Sequence, residues 1–218
     1  MVAYIIVGII AYLVGSISSS VIISKKMAGF DVREKGSGNA GTTNVLRSVG
    51  KKAALITLIC DIFKGVVAIA IAVLVGTIAK TEAIDDAVLV QVASVAVILG
   101  HTFPIFFGFK GGKGVATALG ILLTTNYQIG LICLVFAIIL MVLTQMVSVG
   151  SLAAAVLYPV LTIFLSNENF IVPGNYLVYS IIIALVVIKI NQKDFSSEVN
   201  KLVKYLGGKD NIINAECN

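Results

Sequence analysis

Apolar runs of membrane-crossing length recur along this 218-residue chain, and they decide its fold class before any single residue is considered. A helix needs about 20 apolar residues to cross the hydrocarbon of a bilayer. Such runs are expected at roughly 2–23, 53–79, 87–109, 128–147, 149–165 and 176–190, with a shorter one at 115–126. The short run crosses only part of the bilayer unless Asn126, Tyr127 and Gln128 form a pinched turn. The segment from Gln145 to Ser151 separates the two runs on either side of it. Composition agrees, with 58% of residues hydrophobic and 12% charged, where a soluble domain is about 25% charged. A soluble fold of this size has no interior large enough to hide that much apolar surface. A cytosolic globular enzyme, a disordered chain and a disulfide scaffold are thereby excluded. The prediction is an all-α, polytopic integral membrane bundle of about seven transmembrane helices, one of them short, forming one domain over residues 1–218.

The net charge of +5 is unevenly placed. The segment 24–52 carries Lys25, Lys26, Arg33, Lys35, Arg47, Lys51 and Lys52 against Asp31 and Glu34. Lys110 and Lys113 lie in a glycine-rich segment, 108–117, and Lys189, Lys193, Lys201, Lys204 and Lys209 lie in or just before a tail at 191–218. The gap with Lys80 also holds Glu82, Asp85 and Asp86, and the loop 166–175 has Glu168 and no base. The positive-inside rule then puts the N-terminus outside and all three basic segments in the cytoplasm. The first run lacks a basic leader and is read as a span, not a cleaved signal. Basic residues confined to a few polar gaps suggest topology signals and phosphate sites, not a nucleic-acid surface. Cys60, Cys133 and Cys217 are too few for a framework and are read as inert. No internal repeat is visible.

Against the apolar background, the first polar cluster runs from Gly36 through Ser37, Gly38, Asn39, Gly41, Thr42, Thr43 and Asn44 to Arg47. Its glycines permit a backbone that gathers N–H groups into a nest for an anion. Ser37, Asn39, Thr43 and Asn44 add neutral hydrogen-bonding groups, and Arg47 adds a cationic fork suited to phosphate. A solvated linker fits the same composition, but the absence of acids from 36 to 47 favours an anion site. In the second cluster, Gly111, Gly112 and Gly114 are expected to leave N–H groups open at a helix N-terminus, with Lys110 and Lys113 supplying charge. Val115 after Gly114 breaks the Walker pattern. A basic anchor with a flexible turn is the plainer alternative. Asp61 and Lys64, i and i+3 in the second span, are placed to pair, either structurally or beside a wet cavity. His101 is the single histidine, and a packing role is favoured over that of a general base. Pro104 is expected to kink its helix. Ser148-Val149-Gly150-Ser151 suits close helix packing, with hydroxyls for a phosphate as the alternative. No residue grouping has metal-ligand spacing, so neither a metal nor a cofactor is expected.

These ordered motifs resemble a known family, the bacterial integral-membrane acyl-phosphate:glycerol-3-phosphate acyltransferases of the PlsY type. Gly36 to Arg47 is similar to that family's first cytoplasmic motif, and Asp61-Ile62-Phe63-Lys64-Gly65 to its second-span pattern. Gly100-His101, Pro104 and the run Phe109 to Thr117 are similar to its glycine-rich second motif. The likeness is close over residues 8–120 and looser beyond. It implies transfer of a fatty acyl group from acyl phosphate to the 1-hydroxyl of sn-glycerol 3-phosphate, giving lysophosphatidic acid and phosphate for phospholipid biosynthesis at the bacterial plasma membrane. The implied partners are the two substrates and the bilayer, with no nucleic acid and no obligate protein partner. The resemblance implies roles in catalysis or phosphate binding for Ser37, Arg47 and Lys113, and Ser148 falls where the family has a serine. Gly38, Asn39, Thr43, Asn44, Lys110, Gly111, Gly112 and Gly114 complete the expected phosphate site, with His101, Asp61 and Lys64 as supporting residues. The family's third motif departs here: Lys189 to Phe195, with Asn200 and Gly207-Gly208, lacks its histidine, and no catalytic residue is assigned there.

Acyl phosphate is already activated, so positioning and charge stabilisation suffice without a covalent nucleophile. A transporter of a phosphorylated or anionic solute and an inactive homologue are the competing readings. All of them depend on where the two glycine-rich segments lie relative to each other.

Overall fold

A computed structural model describes residues 1–79, 85–165 and 176–205. The regular structure among these residues is helical: α1 (Val2–Gly15), α2 (Ser19–Ala28), α3 (Thr42–Ser48), α4 (Lys51–Ala79), α5 (Asp86–Thr102), α6 (Val115–Thr125), α7 (Tyr127–Thr144), α8 (Val147–Phe164) and α9 (Tyr176–Tyr205). Single 3-10 turns occupy Val32–Glu34 and Ile105–Phe107. The segment with Lys80 and Glu82, the loop 166–175 and residues 206–218, with Lys209, Gly207-Gly208 and Cys217, lie outside the described residues.

Five segments are long and apolar enough to cross a membrane: Val2–Ala28, Lys51–Ala79, Asp86–Phe107, Tyr127–Thr144 and Val147–Phe164. Val115–Thr125 and Tyr179–Asn191 are shorter apolar helices, so the seven expected spans become five of full length among the described residues. The first span is broken into α1 and α2 at Ser16–Ser18. Ser16 Oγ donates to the Tyr12 carbonyl at 2.8 Å, and the carbonyls of Gly15 and Ile17 accept from Lys64 Nζ at 3.4 and 3.2 Å. In hydrocarbon such carbonyls need a protein partner. Pro104 ends α5 instead of kinking it, because a residue before proline avoids helical geometry; Phe103 sits at φ −123°, ψ 63°. The eleven residues of α6 rise only about 16 Å, roughly half the hydrocarbon. Asn126 then starts α7 by accepting from the Ile129 N–H at 3.0 Å. The expected tail from 191 begins as a continuation of α9, which runs on to Tyr205.

Close crossings hold the bundle. Gly15 lies on the Val97 carbonyl and Gly100 on the Tyr12 carbonyl, so α1 and α5 touch backbone to backbone. Gly65 on Thr117 and Gly120 on Ile62 do the same for α4 and α6. A Cβ at any of these positions would separate the pair. The interior between these helices is filled by Val7, Ala11, Ile69, Leu89, Val97 and Ile121, while Ile59, Phe63, Leu74 and Leu143 face outward, as lipid-facing side chains do.

Candidate active site

The first glycine-rich segment is built around one buried side chain. Asn44, on α3, is 1% exposed. Its Nδ2 donates to the carbonyls of Val32, Lys35 and Asn39 at 2.8, 3.0 and 3.0 Å, and its Oδ1 accepts the Ser37 N–H at 3.0 Å. Gly36, at φ +63°, lies directly against that Oδ1, where a Cβ has no room. The loop therefore folds over Asn44, and α3 presents Thr42, Thr43 and Arg47 to one side. Asn44 spends its hydrogen-bonding capacity on the loop itself, which makes it an organiser of the wall it belongs to.

The second segment is held by backbone. The N–H groups of Gly111 and Gly112 donate to the carbonyls of Thr102 and His101, both at 3.1 Å. They complete the end of α5 instead of standing open to an anion, so the expected nest at Gly111 and Gly112 is not formed by those amides. Gly112 is pressed between His101 Nε2 and the Ala40 carbonyl. Gly114, at φ +75°, turns the chain into α6. The Ala40 N–H donates to the Gly111 carbonyl at 3.3 Å, which joins the two glycine-rich segments directly.

Both segments open onto one cavity of about 420 Å³. Its polar end is walled by Ser37, Asn39, Thr42, Thr43, Asn44, Arg47, Lys113 and Gly114, with Ser148 and Ser151 from the first two turns of α8 and Asn191 from α9. Its other end runs between α6, α7, α8 and α9 past Leu122, Leu134, Ile138, Ala155, Tyr158, Ile183 and Val187, while Met141 lies beside Gly150 near the serines of α8. Ser37 and Arg47 are exposed at the mouth, while Ser148 is buried. The Thr42 hydroxyl is buried at this wall without a hydrogen-bond partner. Gly38, Lys110, Gly111 and Gly112 lie outside the wall, and the exposed Lys110 contributes only its carbonyl to the neighbouring contacts.

Asp61 and Lys64 pair at 2.9 Å and are both buried. Asp61 and His101 line the cavity; Lys64 points away from it, to the break in the first span. His101 Nδ1 is 3.7 Å from Asp61 Oδ1, too long for a hydrogen bond, and the ring backs onto Gly112. Among the described residues no set of three His, Cys, Asp or Glu side chains is grouped as a metal would require.

Ser151 joins Ser148 in the lining, and Asn191 is a cavity residue to which the motifs assign no role. Asn191 is 1% exposed and donates to the Val187 carbonyl at 2.8 Å. The signal for it was an asparagine directly continuing an apolar helical run.

The sequence profile of the family described as Glycerol-3-phosphate acyltransferase matches residues 5–202. A glycerol-3-phosphate acyltransferase of Clostridioides difficile is 41% identical over 180 residues, 83% of this chain and 87% of that protein. One of Paraburkholderia phytofirmans is 48% identical over 166 residues, 76% of each. The crystal structure of PlsY, an integral membrane glycerol 3-phosphate acyltransferase, in its glycerol 3-phosphate form has a TM-score of 0.76 at 34% identity, over 90% of this chain and 92% of that one. The lysophosphatidic acid form of PlsY gives 0.75 at 33% identity, over 90% and 91%.

Proposed function

The chain belongs to the glycerol-3-phosphate acyltransferase family, and on that premise we propose that it moves a fatty acyl group from acyl phosphate to the 1-hydroxyl of sn-glycerol 3-phosphate. The observation that carries this reading is the two-ended cavity. Arg47 and Lys113 suit phosphate at one end, and the channel between α6 and α9 suits a hydrocarbon chain at the other. The relatives' names and the two PlsY forms support the acceptor and the lysophosphatidic acid product.

Acyl phosphate is a mixed anhydride. The acceptor oxygen attacks the acyl carbon, the bond from that carbon to the phosphate oxygen breaks, and the hydroxyl proton leaves on the departing phosphate. Arg47 and Lys113 stabilise the charge on that phosphate, and Ser37 orients a substrate oxygen. Asn44 fixes the wall that carries Ser37, and His101 supports Gly112 from behind. The basic side chains Lys25, Lys26, Lys51 and Lys52 favour placing this end at the cytoplasmic headgroups of the bacterial plasma membrane, with the N-terminus outside and the C-terminus inside.

The test is turnover by the purified full chain in lipid nanodiscs, with radiolabelled glycerol 3-phosphate and palmitoyl phosphate. Labelled lysophosphatidic acid and stoichiometric phosphate are expected, with loss of turnover in Arg47→Ala and Lys113→Ala. Turnover with an acyl thioester but not with acyl phosphate overturns the donor. No acyl transfer with any donor, combined with solute uptake by vesicles, favours the transporter; neither activity marks an inactive homologue.

A further inference from the structure

We propose that Arg33, gripped by Asp31, is a positioning residue that fixes the register between the two glycine-rich segments. The kinetic consequence rests on the acyl-transfer reading above; the geometry does not. Arg33 and Asp31 do not line the cavity, so neither is placed to touch substrate. Asp31, buried, accepts from Arg33 Nε at 3.0 Å and from Arg33 Nη2 at 2.8 Å, a two-pronged carboxylate–guanidinium pair. The remaining nitrogen, Nη1, reaches across to the second segment and donates to the carbonyls of Phe107 at 2.6 Å and Lys110 at 3.2 Å. The guanidinium also lies 6.0 Å from the centre of the Phe107 ring.

On the other side, the backbone around Arg33 is tied to the cavity wall, since Asn44 holds the carbonyls of Val32 and Lys35. A continuous path thus runs from α3 through the 3-10 turn and Arg33 to the chain just before Lys113. It backs up the Ala40–Gly111 bond, which is longer and neutral. Only a planar fork grips Asp31 with two nitrogens and leaves a third for two carbonyls; the single ammonium of a lysine cannot. The guanidinium holds the Asp31 carboxyl down to about 2, so the grip stays charged at physiological pH.

The experiment uses the full chain in nanodiscs with Arg33→Lys, Arg33→Ala and Asp31→Asn. Arg33→Lys is expected to lower kcat about tenfold with KM for glycerol 3-phosphate within about twofold in a chain that stays folded at the assay temperature, because misplaced groups lose rate before they lose binding. Methylguanidinium added to Arg33→Ala is expected to recover turnover. Independently of activity, amide exchange at Ala40, Gly111 and Gly112 is expected to accelerate in all three variants while that of α4 does not. Wild-type exchange at those amides in folded Arg33→Lys overturns the proposal, as does wild-type kcat. Failure of the unsubstituted chain to make lysophosphatidic acid overturns the acyl-transfer reading instead, and the exchange measurement still decides on Arg33.

Discussion

The two glycine-rich segments at the mouth of the cavity share a composition and are held in opposite ways. Residues 36–47 wrap around a side chain, Asn44, which satisfies backbone groups on several sides. Residues 108–114 have no hub of their own; the amides of Gly111 and Gly112 finish α5, Arg33 from just before the first segment holds the Lys110 carbonyl, and Gly112 has backbone and ring on either side. The first segment is therefore sensitive to loss of an amide, the second to gain of a methyl. Gly38 in the first supplies conformation alone, at φ +72° with no crowding neighbour, whereas Gly112 in the second supplies room.

The sharpest way to break this contrast is Gly112→Ala. The added carbon enters space held by His101 Nε2 and the Ala40 carbonyl, so kcat/KM for acyl transfer is expected to fall about a hundredfold. Asn44→Ala comes next, with about 2 kcal/mol less stability for the carbonyls and amide it leaves unpaired, read as a lower thermal midpoint in detergent. An acid titration sharpens the electrostatic side. The Asp31 carboxyl is depressed from 3.8 to about 2 by its hydrogen bonds to Arg33 and by the charges of Arg33 and Lys25, while Glu34 acts on Arg33. Its stabilisation is thus complete above the unfolded value and lost as pH falls from about 4 toward 2. Protection of the Ala40 amide, its exchange rate relative to the intrinsic rate at each pH, should fall across that window, and Asp31→Asn should remove the dependence. The smallest effect is expected for Lys110→Ala, whose exposed ammonium lies outside the cavity wall; kcat/KM should stay within about twofold, whereas Lys113→Ala should not.

Hydropathy located most of the bundle because each long helix carries its own signal in the length of its apolar run. It did not locate the break at Ser16–Ser18, which depends on a cation from another helix. Nor did it locate α3, whose threonines, asparagine and arginine read as loop, or the far half of α9, where the apolar signal ends at Ile190 and the helix does not. At the site, Ser37, Arg47 and Lys113 were legible from local chemistry, and the structure brings them to one cavity. Lys110 carries the same charge as Lys113 but is exposed outside the wall, after Phe109 at φ +58°, a backbone turn that charge and composition do not reveal. Arg33 was not legible, because its acceptors are carbonyls 74 and 77 residues away and carbonyls leave no mark in a sequence.

The buried ammonium of Lys64 bears on how the protein enters the membrane. The peptide groups of Gly15 and Ile17 that it satisfies lie 49 and 47 residues earlier in the chain. During synthesis they precede their cation, and an orphaned carbonyl in hydrocarbon is costly. The opening span of the chain is thus an incomplete passenger in lipid until α4 arrives, which makes partitioning of these segments into the bilayer a joint event.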